Sequence, residues 1–344
     1  MGYYVSLNEQ GMQVARTSAP AVPFTLEDLR EGPVDDGPSQ VELLKQVRGG
    51  GRSPSPYLQA IVGVNPARRL VRRHSVDSKR VKEPGYFAEL CSQQFRIEFD
   101  KHALSVLNAA DGSVFDPARA VQKDVIFCGL PLEDVIQLQG ELLGLGIYPR
   151  RLELGTVSLL GGMVDLLSQS RSKSPLLVVE LGADMTHSFI VSAAGVEASR
   201  PIAHGYSAMV PLVQKELGLK DEEAARKLLF ANTFDFTGMG PVLLKRLVAD
   251  LQSSTGFFEV QTGQSVGRVF VCHLPAPLAW MEASLGASLG LPSFRPDVLP
   301  WLASRQVAVP DSLAATVRES RWFGLLSLMV QTNAADALPV QEKE

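Results

Sequence analysis

This chain is short of cysteine, of metal-binding spacings and of long apolar runs. Only Cys91, Cys128 and Cys272 occur in 344 residues. They are odd in number, far apart and contain no C-x-x-C pair, so neither a disulfide framework nor a cysteine zinc site is expected, and all three are read as buried apolar residues. The histidines, His74, His102, His187, His204 and His273, show no H-x-x-x-H spacing, and no metal site is assigned. No apolar run approaches the ~20 residues that cross a bilayer. Met1-Gly-Tyr-Tyr-Val-Ser lacks both a basic flank and a long apolar stretch, so a cytoplasmic location is expected. A formal net charge of -4 offers no global attraction for nucleic acid or anionic lipid, which need clustered Lys and Arg.

What is present is an ordinary globular composition, 45% hydrophobic and 20% charged, long enough for two cored domains. Tyr3–Leu7 and Met12–Arg16 are β-like runs about Asn8-Glu-Gln-Gly11, a hairpin. From Ser18 to Pro56 proline, glycine, serine and acid dominate, which reads as a flexible linker interrupted by a short helix at Gln40 to Val47. Strands follow at Leu58–Val64 and Leu70–Val76, helical spacing at Tyr86–Phe99, a strand at Asp124–Gly129, a helix from Pro131 to the glycines at Gly144 and Gly146, a strand at Arg151–Leu154 and a helix at Ser158–Leu167. The second half repeats the scheme: a strand hairpin, a strand at Gly195–Ile202, helices near Ser207–Leu217, Asp221–Phe230 and Pro241–Phe257, a strand at Arg268–Cys272, and helices at Pro277–Leu289 and Ser312–Val330. Hairpin, crossover helices and strand in each half point to a duplicated α/β fold with a central cleft.

The most telling stretch is Leu176-Leu-Val-Val-Glu180-Leu-Gly182-Ala-Asp184-Met-Thr186-His-Ser-Phe-Ile-Val191, a strand, a glycine turn and a strand. It resembles the second phosphate loop of the actin-like ATPase superfamily, where a strand-end carboxylate organises the metal's water shell and glycine lets backbone N–H groups approach phosphate oxygens. With Val125–Val135 through Leu142-Leu-Gly-Leu-Gly-Ile-Tyr-Pro149, with Ile202–Tyr206 and Leu217–Arg226, and with Phe257–Gly263 through Leu289-Gly-Leu-Pro292, the order of elements resembles the PilM family of type IV pilus assembly proteins, related to the cell-division protein FtsA. The resemblance covers about residues 1 to 18 and 57 to 330. It implies an α/β, actin-like (ribonuclease H-like, duplicated) fold with domain I at 1–172, a subdomain inserted at 84–147, the linker at 18–56, domain II at 173–332 carrying the C-terminal helix, and a disordered tail at 333–344.

The departures from that pattern bear on chemistry. The first phosphate loop has Glu9 where a phosphate's charge would lie and no following lysine. Where the adenine-side motif has a glycine triplet, this chain has His273-Leu-Pro-Ala-Pro277, whose prolines lack N–H donors and whose side chains fill the space. The vestigial nucleotide cleft implied by the resemblance would comprise Asn8, Gly11, Glu180, Gly182, Ala183 and Thr186. No catalytic residue is assigned, no cofactor is expected, and binding of ATP with Mg²⁺ is disfavoured. The resemblance further implies a cytoplasmic scaffold, peripheral to the inner membrane through its partners, that binds the N-terminal tail of a PilN-like inner-membrane protein between domain I and its insert, with other pilus assembly proteins as further partners. Phe87, Phe95 and Phe99 are ordinarily core residues at helical spacing, and in an inserted subdomain part of that face could line the groove. The alternatives are an active ATPase or small-molecule kinase using Glu180 and Asp184, and an FtsA-like filament former, against which the short, acidic, proline-broken Ala334–Glu344 argues.

Three further motifs are weighed. Gly263-Gln-Ser265-Val-Gly267 matches G-x-S-x-G, but a helix precedes it and a strand follows, the reverse of a nucleophile elbow, so it is a turn. Gly49-Gly-Gly51 lacks the Lys-Ser/Thr of a phosphate loop. The basic cluster Arg68-Arg-Leu-Val-Arg72-Arg-His74 with Lys79, Arg80 and Lys82 suits a charge-guarded edge strand or, alternatively, a contact for an acidic partner or membrane surface.

Overall fold

The computed structural model describes residues 1–33, 36–48, 55–119 and 123–336. Gly49-Gly-Gly51 and most of the C-terminal tail lie outside the described residues. The chain divides into two units, Met1–Gln169 with Pro296–Glu344, and Ser170–Arg295.

In the first unit, β1 (Gly2–Asn8), β2 (Gly11–Thr17) and β3 (Phe24–Pro33) form an antiparallel meander, followed by α1 (Gly37–Arg48) and β4 (Leu58–Val64). A smaller layer follows, with β5 (Leu70–Ser75), α2 (Tyr86–Leu90), β6 (His102–Asn108) and β7 (Asp124–Pro131). The chain then returns through α3 (Leu132–Gly144), β8 (Ile147–Leu154) and α4 (Gly155–Gln169). The second unit holds β9 (Leu176–Leu181), β10 (Thr186–Ser192), β11 (Gly195–Ile202), α5 (Val210–Leu217), α6 (Glu222–Phe230), α7 (Gly240–Leu243), α8 (Lys245–Thr262), β12 (Arg268–Cys272) and α9 (Trp280–Leu289). The closing segment, α10 (Val298–Ser304), β13 (Val307–Ala308), α11 (Asp311–Val317) and α12 (Phe323–Asp336), belongs to the first unit.

The large sheet of the first unit runs β13-β3-β2-β1-β4-β8, antiparallel among β1 to β3 and parallel from β1 through β4 to β8. Period-2 apolar residues, Val5 on β1, Met12 and Val14 on β2, and Leu58, Ala60, Val62 and Val64 on β4, face one core with Leu43, Leu44 and Val47 of α1 and Leu142 of α3. The second unit repeats the order as β11-β10-β9-β12, with Val269 and Ser293 forming a single parallel bridge where a fifth strand would lie. β9 is buried at every position, as a strand covered on both faces must be, and Leu177, Val179 and Leu181 pack with Val210, Val213, Leu247 and Leu251 of the helical layer.

Three sequence expectations change here. Ser18–Pro56 is not simply linker: β3 lies within it, half exposed and with no strong apolar alternation, as Phe24-Thr-Leu-Glu-Asp-Leu-Arg-Glu-Gly-Pro33 permits, and α1 extends the expected helix at both ends. The C-terminal helix does not belong to domain II. It is two helices, and α12, with Phe323, Leu325, Leu326, Leu328, Met329 and Val330 all buried, lies in the first unit against α4 and β1. Helices crossing closely need small residues at the contact, which Gly162 on α4 and Ser327 on α12 supply. The inserted layer is built by β5-β7-β6 and so spans Leu70 to Pro131 rather than 84–147, because β5 pairs with β7 across fifty residues of chain while α3 and β8 return to the large sheet.

Candidate functional site

The nucleotide-cleft residues named from sequence fall into two hairpin turns, one in each unit. In the first, Asn8 closes β1 and its Oδ1 accepts hydrogen bonds from the backbone N–H of Gln10 (2.8 Å) and Gly11 (3.1 Å). This is the side-chain turn that asparagine favours, and it engages both N–H groups with the chain's own oxygen. Gly11 has a structural reason to be glycine: a Cβ there would lie 2.6 Å from the carbonyl oxygen of Gly32 on β3.

In the second turn the Gly182 N–H donates to the Met185 carbonyl (3.0 Å), while the Gly182 and Ala183 carbonyls accept from Tyr206 N (3.1 Å) and Ser207 N (2.8 Å). Gly205 makes this stacking of loop on loop feasible, since a Cβ on it would lie 2.2 Å from the Ala183 oxygen and 2.3 Å from the Gly182 oxygen. Thr186 is fully buried and its hydroxyl donates to the His204 carbonyl (2.7 Å). Burial holds the His204 imidazole below its ordinary range, with Arg246 adding to the effect and Asp250 opposing it. Both turns are therefore tightly tied to their own unit.

Glu180 ends β9 and is 1% exposed. Its strand neighbours are His187, directly opposite on β10, and Cys272, directly opposite on β12. The chain leaves β12 through His273, whose φ of 58° is left-handed, and this turn brings His273 Nε2 to 3.4 Å from Glu180 Oε1. The carboxylate oxygen, the Cys272 sulfur and the His273 ring nitrogen all lie within 4.8 Å of one another. Sequence spacing missed this cluster because Glu180 is remote along the chain from the other two. The available signals were the Cys-His dipeptide at a strand end and the pairing of two apolar strands.

Phe87 and Phe95 are core side chains of the inserted layer: Phe95 packs on Phe127 with ring centroids 5.1 Å apart, and Phe87 contacts Phe127 at 5.9 Å and Phe115 at 6.2 Å. Phe99 does not share their face. The helix widens over Cys91–Phe95, stops at Arg96 with φ 57°, and Phe99 opens a separate turn at 37% exposure. Large exposed apolar side chains lie instead on α3, where Leu132 is 44% and Ile136 70% exposed, one helical turn apart.

The basic cluster is mostly paired within its own unit. Arg68 bridges Glu133 and Asp134, Arg73 meets Asp124 at 2.8 Å, Arg80 meets Glu83 at 3.1 Å and Glu89 at 2.7 Å, and Arg69 Nε donates to Thr156 Oγ1 at 2.8 Å. Ser265 sits between α8 and β12 with its hydroxyl donating to Glu259 Oε1 at 2.5 Å, a turn as expected. Burial raises the Cys91 thiol and, with Glu153 nearby, pushes that of Cys128 up to about 12, which disfavours the reactive thiolate at both.

No family model matches the sequence, and no curated protein matches it significantly. Among solved structures, a chain of the one described as the PilM–PilN type IV pilus biogenesis complex superposes with a TM-score of 0.68 at 16% identity, over 96% of this chain and 98% of that one. Weaker likenesses include MreB 5 of Spiroplasma citri bound to AMPPNP (TM-score 0.44, 10% identity, 98% and 99% covered) and the cytoplasmic domain of EpsL of the Vibrio cholerae type II secretion system (0.40, 10%, 98% and 95%). The repeated sheet order and the whole-length superposition with the pilus-complex chain give this protein the actin-like fold.

Proposed function

We propose that this chain is a cytoplasmic assembly component of a type IV pilus-like machine, holding the N-terminal tail of a PilN-like inner-membrane protein and turning over no nucleotide. The observation that carries the reading is the correspondence of fold, over nearly the full length of both chains, with a chain of the PilM–PilN complex. No helix among the described residues is long and apolar enough to cross a membrane, which suits attachment through a partner. The self-closed turn at Asn8 supports the absence of nucleotide turnover, because its N–H groups are already engaged.

The partner segment would lie where the inserted layer meets the large sheet of the first unit. There β7 ends at Pro131 and α3 begins, carrying Leu132 and Ile136 into solvent. An isoleucine side chain left in water forgoes about 1.5–3 kcal/mol of burial, so an apolar residue of a bound segment gains by covering it. An extended segment would add backbone hydrogen bonds to such side-chain contacts. Calorimetric titration with a peptide of the cytoplasmic N-terminus of the membrane protein encoded nearby should show saturable one-to-one binding, weakened at least tenfold by Ile136→Asp. A folded protein that takes up no peptide would overturn the reading.

A further inference from the structure

We propose that Glu180, Cys272 and His273 form a binding site for one divalent cation of the zinc class. The inference goes beyond the peptide-binding reading and does not depend on it. Three different donor types meet here, a carboxylate oxygen, a thiol sulfur and an imidazole nitrogen, and this mixed set suits a borderline-soft ion such as Zn²⁺ rather than Mg²⁺ or Ca²⁺, which take oxygen ligands.

One edge of the cluster already has the length of a tetrahedral site. With metal–nitrogen and metal–oxygen bonds of about 2.0–2.1 Å, adjacent ligands of a tetrahedral ion stand about 3.3–3.4 Å apart. Glu180 Oε1 and His273 Nε2 are already 3.4 Å apart. The edges to Cys272 Sγ are within 4.8 Å, so seating the ion requires the sulfur to move inward by at most on the order of one ångström. That sulfur now faces the Val179 carbonyl at 3.5 Å, with the thiol hydrogen donated to it. On binding, the thiol gives its proton to solvent and the thiolate takes up the metal, with no change of oxidation state.

The scaffold is rigid where rigidity is needed. Glu180 and Cys272 are register partners on adjacent parallel strands, so their side chains leave the sheet on the same face. The left-handed turn at His273 brings the imidazole back over them. Glu180 is 1% and Cys272 9% exposed, a setting in which a carboxylate and a thiolate are stabilised by a cation between them. The carboxyl ends of strands in an α/β sheet are also where such folds place ligands. Three protein ligands leave one position for water or an anion. The ion would pin the end of β9 to the turn after β12.

The test is to strip the full-length protein with a chelator and titrate it with Co²⁺, whose thiolate charge-transfer absorption and tetrahedral d–d bands report the ligand set. One equivalent should bind with both signatures. Cys272→Ser should abolish the charge-transfer band while Cys91→Ser and Cys128→Ser retain it, and Glu180→Gln and His273→Asn should each weaken binding more than about tenfold, since even loss of an outer-shell partner costs that much. Asparagine is chosen at 273 because it tolerates the left-handed backbone. X-ray absorption on the zinc-loaded unaltered protein needs no variant to fold and should show one sulfur in the first shell. A first shell of nitrogen and oxygen alone, no cobalt uptake, or a charge-transfer band that survives in Cys272→Ser would overturn the site.

Discussion

The two hairpins at the heart of the two units share a topology and differ in what closes them. The first turn is closed from within, by the Asn8 side chain on the N–H groups of Gln10 and Gly11. The second is closed from outside, by the segment at Gly205 to Ser207 lying on the Gly182 and Ala183 carbonyls. Equivalent places in a duplicated fold are thus closed by unrelated means, one local and one tertiary.

That contrast can be broken most severely at Gly205. In Gly205→Ala the new methyl meets the two successive backbone carbonyls of Gly182 and Ala183 far inside contact distance, and the cost should be about 3 kcal/mol or more, read as a lowered denaturant midpoint or loss of folded second unit. Gly11→Ala meets a single carbonyl at 2.6 Å on a neighbouring strand that can shift, so the loss should be smaller, about 1–3 kcal/mol. If the two substitutions cost the same, the distinction between a locally and a tertiarily closed turn fails. Asn8→Ala removes only the side-chain acceptor and should cost about 1 kcal/mol. ATP with Mg²⁺ should leave the melting temperature of the unaltered protein and of Asn8→Ala unchanged, and a rise of several degrees in either would show a working phosphate site.

The smallest effect concerns pH. Burial lowers the affinity for protons of His74, with Arg73 beside it, in the first unit and of His204 in the second. The unfolded chain therefore binds protons more readily, so stability should be full above about pH 6.5 and decline as the pH falls through that value toward the lower folded-state range. His204→Gln should flatten the decline that reports the second unit. A melting temperature independent of pH between about 7.5 and 5.5 would remove this contribution.

Most strands and helices could be read from the chain because each carries its own periodicity: Leu58–Val64 alternates, and Leu176–Leu181 is apolar throughout. β3 escaped because a half-exposed strand with Glu27, Asp28, Arg30 and Glu31 looks like loop until its hydrogen-bond partners on β2 are known. α12 was recognisable as an apolar helix, yet nothing local says which sheet it covers. Of the residues expected to line a vestigial nucleotide cleft, Asn8, Gly11, Glu180, Gly182, Ala183 and Thr186 lie in turns or at strand ends, and the partners of Thr186 and Glu180 are remote in sequence, whereas Asn8 holds two N–H groups of its own turn. Phe87, Phe95 and Phe99 show the converse error, since helical spacing suggested one face and the left-handed Arg96 broke it.

The sequence by itself determined a duplicated α/β chain, because period-2 and period-3.6 burial patterns are local properties of the chain, while the actin-like fold was implied by the resemblance of its second hairpin and element order to a known family and shown by the superposition. The tertiary structure alone decided where the C-terminal helix packs, which residues form the inserted layer, and that Glu180 stands beside Cys272 and His273. These are consequences of parallel pairing and chain return, which bring together residues tens to hundreds of positions apart and leave no periodic trace in either segment.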